Sequence, residues 1–300
     1  MKKIFLGILS LAFVMVSCNS DDDNNTQTTS NLTLNLNGLE DLGSDFTYEG
    51  WLLVDGTPVS TGVFTVDANG QLSATTFAVP TETINSATKF ILTIEPNPDP
   101  NPEPSDQKLI AGDFNGNSAS VSTATAPAVG DFGASAGNFF LRTPTDEQSG
   151  TGNNGNDQYG VWFGTPGMPP AATLELPELP VGWIYEGWVI GDAGPLSTGT
   201  FSNVDEMDDN AGLSTSFGGT ENAGPPIPGE DFFNNAPTGE TFPLDIRGRT
   251  IVITVEPVPD NSPLPFTLKP LAAQAGNDTA PAFYDFALNL GTFPTGTVTR

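Results

Sequence analysis

Histidine is missing from this sequence altogether. That excludes Ser-His-Asp and Cys-His nucleophilic catalysis, imidazole zinc ligation and acid–base work by a histidine. Cysteine occurs once, at Cys18, so no intrachain disulfide can form. Positive charge is scarce. Nine Lys and Arg stand against 36 Asp and Glu, for a formal net charge of −27. Such a surface repels nucleic acid and anionic lipid headgroups, so no nucleic-acid partner is expected. It attracts divalent cations instead. Beyond Ile4 to Val16, no apolar run approaches the roughly 18 residues of a transmembrane helix. Past that run there is no amphipathic stretch of ten residues with helical spacing. A paired-carboxylate hydrolase is a catalytic class left open in principle, and no pair is marked out for it.

What is present begins with a leader. Lys2 and Lys3 precede the apolar run Ile4 to Val16, which ends in Met15-Val16-Ser17-Cys18. This resembles a lipobox, the site where bacterial lipoproteins are cleaved before a cysteine that then receives lipid. Cys18 is the expected attachment residue, with residues 1–17 as the signal peptide. Each buried acyl methylene contributes about 0.8 kcal/mol, so several chains on one residue give a stable membrane anchor. Losing the two leader lysines leaves the mature chain two charges more negative. Residues 18–30 open with Asn19-Ser20-Asp21-Asp22-Asp23 and are expected to be a disordered acidic linker. The acidic run resembles the surface-export signal of lipoproteins in Bacteroidota-type bacteria; as a bland alternative it is a solvated tether.

The body of the chain repeats itself. "YEGWLLVDGTPVSTGVF", Tyr48 to Phe64, returns as "YEGWVIGDAGPLSTGTF", Tyr185 to Phe201, offset by 137 residues. "ILTIEPNPD", Ile91 to Asp99, returns as "VITVEPVPD", Val252 to Asp260, offset by 161. A constant offset through the first block, followed in the same order by a second match, is an internal duplication. The difference between the offsets places an insertion in the second copy, near 218–243.

Both copies have strand periodicity. Leu32, Leu34 and Leu36 alternate with polar residues, as do Leu174 and Leu176. Phe46 to Val54 and Trp183 to Ile190 are aromatic and β-branched runs that end at Asp55-Gly56 and Gly191-Asp192 turn signals. Ile91 to Ile94 and Ile251 to Val255 have the continuous apolar character of buried strands, stopped by Pro96 and Pro257. With 33 glycines, 27 prolines and 20 phenylalanines, the expected fold is all-β: two tandem antiparallel β-sandwich domains. The expected boundary lies in "GTPGMPP", giving domains at 31–165 and 166–300. Asn138 to Arg142 and Tyr159 to Phe163 are expected as strands closing the first.

The paired blocks resemble the extracytoplasmic C-terminal domain of anti-sigma-K factors. That domain typically carries a Tyr-x-x-Trp-Leu strand, a Gly-x-Phe, and a buried strand ending in Val-Thr-x-Glu-Pro. Tyr48, Trp51, Gly62, Phe64, Thr93, Glu95 and Pro96 stand in those places in the first copy. Tyr185, Trp188, Gly199, Phe201, Thr254, Glu256 and Pro257 stand there in the second. The resemblance covers roughly 45–113 and 183–272. It implies a β fold and an exported sensor-like or binding module. Such factors also carry a cytoplasmic helical domain, often with a His/Cys zinc motif, and a transmembrane helix. No stretch here fits either, so no direct contact with a cytoplasmic sigma factor is expected.

The repeated acids Glu49, Glu95, Glu186 and Glu256 invite a doubled cation site. The expectation is that they are strand-end carboxylates accepting backbone N–H bonds or facing water. Trp51 and Trp188 fit core packing better than sugar stacking. Asp205 to Asn210 and Asn153 to Asp157 are acidic or amide-rich, and neither follows the spaced EF-hand pattern. Ser60-Thr61-Gly62 and Ser197-Thr198-Gly199 lack a histidine or lysine to activate a nucleophile. The sequence therefore assigns no catalytic residue, no cofactor and no metal. It points to a non-enzymatic binding or structural role, lipid-anchored at the outer membrane and facing the cell surface, with an envelope protein or a glycan as candidate partner. The alternatives are a periplasmic partner in anti-sigma-type signalling and, more weakly, a carboxylate-based glycan hydrolase.

Overall fold

The computed structural model describes residues 28–148, 152–209, 217–260 and 262–300. The expected signal peptide, Cys18 and the expected linker as far as residue 27 lie outside the described residues. Thr29 and Ser30, expected at the end of a disordered linker, are instead in a strand, because their backbones pair with Pro80 and Val79. Seventeen strands and one short α-helix follow in order. The first half holds β1 (Thr29–Asn37), β2 (Phe46–Val54), β3 (Thr57–Phe64), β4 (Thr76–Pro80), α1 (Thr81–Ser86), β5 (Lys89–Pro96), β6 (Lys108–Asn115), β7 (Ser118–Val121), β8 (Asn138–Leu141) and β9 (Gly160–Trp162). The second half holds β10 (Trp183–Ile190), β11 (Pro195–Phe201), β12 (Gly229–Asp231), β13 (Thr250–Pro257), β14 (Leu271–Gln274), β15 (Tyr284–Asp285), β16 (Ala287–Leu288) and β17 (Thr295–Thr299). No described helix is long and apolar enough to cross a membrane.

The fold is all-β and antiparallel, as the periodicity implied. An eight-stranded sheet runs β3-β2-β5-β6-β7-β17-β1-β4, and its two end strands meet through the rings of Phe64 and Phe77, 6.1 Å apart. The sheet thus curls back on itself. A five-stranded sheet runs β11-β10-β13-β14-β16. Its first four strands reproduce the order β3-β2-β5-β6, so the duplication is one of topology as well as sequence.

Local chemistry accounts for the repeat. β1 buries Leu32, Leu34 and Leu36 and turns Thr33 and Asn35 outward, the period-2 pattern of a half-buried strand. Asp55 and Gly56 have φ of 50° and 82°, the two left-handed positions of the tight turn joining β2 to β3. Both hairpins are bulged at the same place: Thr61 on β3 and Thr198 on β11 are the extra residues, facing the Gly50–Trp51 and Gly187–Trp188 steps of β2 and β10. Tyr and Trp stand three residues apart on β2 and on β10, so strand alternation puts them on opposite faces. Tyr48 stacks on Phe64 at 5.5 Å and donates to the Glu40 carbonyl at 3.0 Å. Tyr185 stacks on Phe201 at 5.6 Å and donates to the Pro177 carbonyl at 2.6 Å.

The sheets cross the expected boundary at 165/166. β8 and β9 do pair with each other, Phe140 opposite Trp162. Their outer neighbours, however, are β15 and β12 from the second half, in a four-stranded sheet ordered β12-β9-β8-β15. β17, at the far end of the chain, lies between β7 and β1 in the large sheet. The physical reason is edge satisfaction: β1 and β7 each have backbone groups that β17 pairs, and Val298 is buried in the process. One continuous apolar cluster runs from Leu32 to Val298 through both halves. The insertion near 218–243 is folded: Phe232 packs on Phe217 and Phe242, and β12 adds an edge to β9.

Candidate functional site

The repeated polar residues converge on the face of the sheets opposite the tyrosines. Glu186 on β10 sits opposite Thr254 on β13, and Glu256 follows two residues later on the same face. Trp188 Nε1 donates to Thr254 Oγ1 at 2.9 Å. The threonine hydroxyl donates in turn to Glu256 Oε1, and the Phe266 backbone N–H reaches the same oxygen at 2.9 Å. Ser197 donates to Glu186 Oε1, and the Gly199 N–H donates to Ser197 Oγ at 3.0 Å. The first copy repeats each bond. Trp51 donates to Thr93 Oγ1 at 2.9 Å, Thr93 and the Ser105 N–H donate to Glu95 Oε1, and Ser60 donates to Glu49 Oε1.

These bonds decide several of the readings made from sequence. Glu95 and Glu256 accept backbone N–H groups, and neither faces water, since each is only 1% exposed. Trp51 and Trp188 are buried, with their indole N–H groups committed to threonine, so neither ring offers a face to a sugar. The Ser-Thr-Gly serines are held between a carboxylate and a glycine N–H. Asp209 takes the Thr200 N–H and hydroxyl at 2.7 and 2.9 Å, and Asp208 takes the Gly229 N–H at 2.8 Å. The described part of 205–210 thus spreads its carboxylates over separate backbone partners. Asn153 and Asn156 likewise bond Asp157 and Asp146, each at 2.6 Å.

Sequence reasoning marked the four glutamates but not the company they keep. In the second copy one carboxylate oxygen each from Glu186, Glu256 and Asp260 lie within 4.8 Å of one another. The signal for Asp260 was present in the repeated blocks, where it answers to Asp99. Burial pushes the Glu186 carboxyl up to about 8, against the lowering effect of Ser197, with Glu256, Asp260 and Asp209 adding repulsion. Burial likewise raises Glu256 to about 7, opposed by its bonds from Thr254 and Phe266 and helped by Asp260 and Glu40. Burial also raises Glu49.

Glu256 and Asp260 also line a cleft of about 360 Å³ between the two copies. One wall is the loop from Glu40 to Phe46; the other runs from Glu256 to Phe266. Gln107 bridges the halves by donating to the Val258 carbonyl. Burial raises Glu40 on this rim to about 7, while Lys269 pulls it down. The cleft therefore combines apolar surface from Leu42, Phe46, Ile94 and Phe266 with five carboxylates, Glu40, Asp41, Asp45, Glu256 and Asp260.

Residues 24–108 match the family described as "Anti-sigma-K factor rskA, C-terminal". The matched region spans β1 to β5, which includes the first Tyr-x-x-Trp strand and the first Glu-Pro strand end. The second copy is tied to it by the repeat and by identical hydrogen bonds. No curated protein and no solved structure matches the chain significantly.

Proposed function

We propose that this chain is an exported, lipid-anchored protein with a non-enzymatic binding role at the outer membrane, its folded part facing the cell exterior. The anchor is Cys18. The observation that supports binding is the cleft between the copies, an acid-rimmed apolar groove held open by loops of both. A concave site with apolar walls and a few convergent polar groups suits ligand capture. The serines, threonines and glutamates that resemble reactive groups are engaged in holding strand ends together. A glycan array and an envelope pull-down with wild-type protein and the cleft-lip variants Asp45→Lys and Val258→Lys test this. Retention of an unmodified ligand by wild type, lost in both variants, supports the reading. Turnover abolished by a single carboxylate substitution overturns it in favour of hydrolysis.

A second reading is a periplasmic partner in anti-sigma-type envelope signalling. The match over 24–108 supports it. Recovery of a transmembrane regulator from solubilised envelopes would favour it over surface capture.

A further inference from the structure

We propose that the second copy holds a calcium ion between Glu186, Glu256 and Asp260. The three acids come from β10, the end of β13 and the turn beyond it, and one oxygen of each lies within 4.8 Å of the others. Calcium is coordinated at about 2.3–2.6 Å, so oxygens on opposite sides of one ion are separated by about this much. Among the described residues this is the only such cluster of three.

A second observation points to a ligand independently. Glu186 is 5% exposed, and its Oε1 accepts the Ser197 hydroxyl while Oε2 is buried with no donor. Buried polar atoms are nearly always bonded, so an orphaned oxygen on a carboxylate that clusters with two others marks a place that protein groups do not fill. Among the described residues no ion pair reaches any of the three. Lys269 acts on Glu256 electrostatically but donates to the carbonyls of Pro265 and Phe266.

The donor set is all oxygen, which selects hard cations over zinc or copper. Calcium accepts irregular spheres of six to eight oxygens, whereas magnesium demands a near-ideal octahedron. Glu186 and Glu256 are fixed by Ser197, Thr254 and Phe266, and Asp260 is exposed on the cleft side, where water completes the sphere. The first copy carries Glu49, Glu95 and Asp99 at matching places without forming such a cluster, and so supplies an internal control. This site stands whether or not the cleft takes a larger ligand.

The test is thermal unfolding and titration calorimetry of the full chain with CaCl2, MgCl2 and EDTA, for wild type, Asp260→Asn and Asp99→Asn. Asp260 and Asp99 are both exposed, so neither substitution threatens folding. Calcium should raise the wild-type Tm by a few degrees, and EDTA should reverse it. Asp260→Asn should weaken calcium by about tenfold or more, and Asp99→Asn should leave it unchanged. Terbium bound there should luminesce through Trp188, and calcium should quench the signal by displacement. Absence of a calcium effect on wild type overturns the proposal. So does an equal loss in both variants, which would mark diffuse acidic binding, or a preference for magnesium.

Discussion

Trp188 on β10 reaches diagonally to Thr254 on the neighbouring β13, indole nitrogen to hydroxyl at 2.9 Å, and Trp51 reaches Thr93 in the same way at the same distance. The pair carries a relay: the tryptophan satisfies the threonine oxygen, which frees the hydroxyl proton for the buried glutamate. Trp188→Phe removes the donor and part of the ring's volume at a buried site. We expect a loss of at least about 1–3 kcal/mol in urea unfolding, from the unsatisfied buried hydroxyl together with the void left by the smaller ring. A change below a few tenths would show that the relay does not stabilise the fold.

The glycine of each Glu-Gly-Trp is a matter of space. A Cβ at Gly187 would collide with Thr198 Oγ1 and the Phe163 ring; at Gly50 it would lie 2.5 Å from Thr61 Oγ1 and 3.0 Å from Phe90. Gly187→Ala should therefore destabilise by about 1–3 kcal/mol, the usual range for overpacking. Gly50→Ala should cost less, because its nearest contact is a single hydroxyl and the ring stands farther off. Paired denaturation curves check the order.

Removing residues 295–300 should damage the first half although they lie at the end of the second. The cut deletes β17 between β1 and β7. It also deletes Arg300, which donates to the Ile84 and Ala87 carbonyls at 2.6 Å and sits 4.3 Å over the Phe114 ring. Two exposed strand edges invite aggregation. Size-exclusion chromatography should show association, and limited proteolysis should open first-half sites. A monomeric, equally resistant truncation would contradict the interlocked topology.

Stability should fall as pH rises from about 4 to about 7. Burial raises Asp231 to about 7, despite bonds from Thr145 and Trp162, and Asp146 adds repulsion. A carboxyl whose folded value is raised contributes stability that is complete below its unfolded value near 4 and lost as pH passes the folded value. At most about 1.4 kcal/mol per pH unit comes from one group. Asp231→Asn should flatten part of the wild-type slope of urea midpoint against pH, whatever its absolute stability. An unchanged slope would sink the assignment.

Much of this was legible from residues alone. The alternation of Leu32, Leu34 and Leu36, the Asp55-Gly56 turn and the runs before Pro96 and Pro257 identify strands because each signal is local. The β8–β9 pair was visible for the same reason. Its outer neighbours were not: β12 is three residues within a Gly/Pro-rich insertion, and β17 pairs with a strand at the other end of the chain. Strand pairing over that distance leaves no local trace. The cluster of Glu186, Glu256 and Asp260 was half legible. Repetition marked its members, but only the register of β10 on β13 brings them together.

We propose that the folded part is carried outside the cell on a lipid tether. Protease treatment of intact cells, followed by an immunoblot for this chain with a periplasmic protein as leak control, tests it most directly. The account predicts digestion of this protein while the control survives, and no anchoring when Cys18 is replaced by alanine. Full protection of the chain in intact cells, with digestion only after the outer membrane is opened, would contradict surface display and move the periplasmic signalling partner to first place.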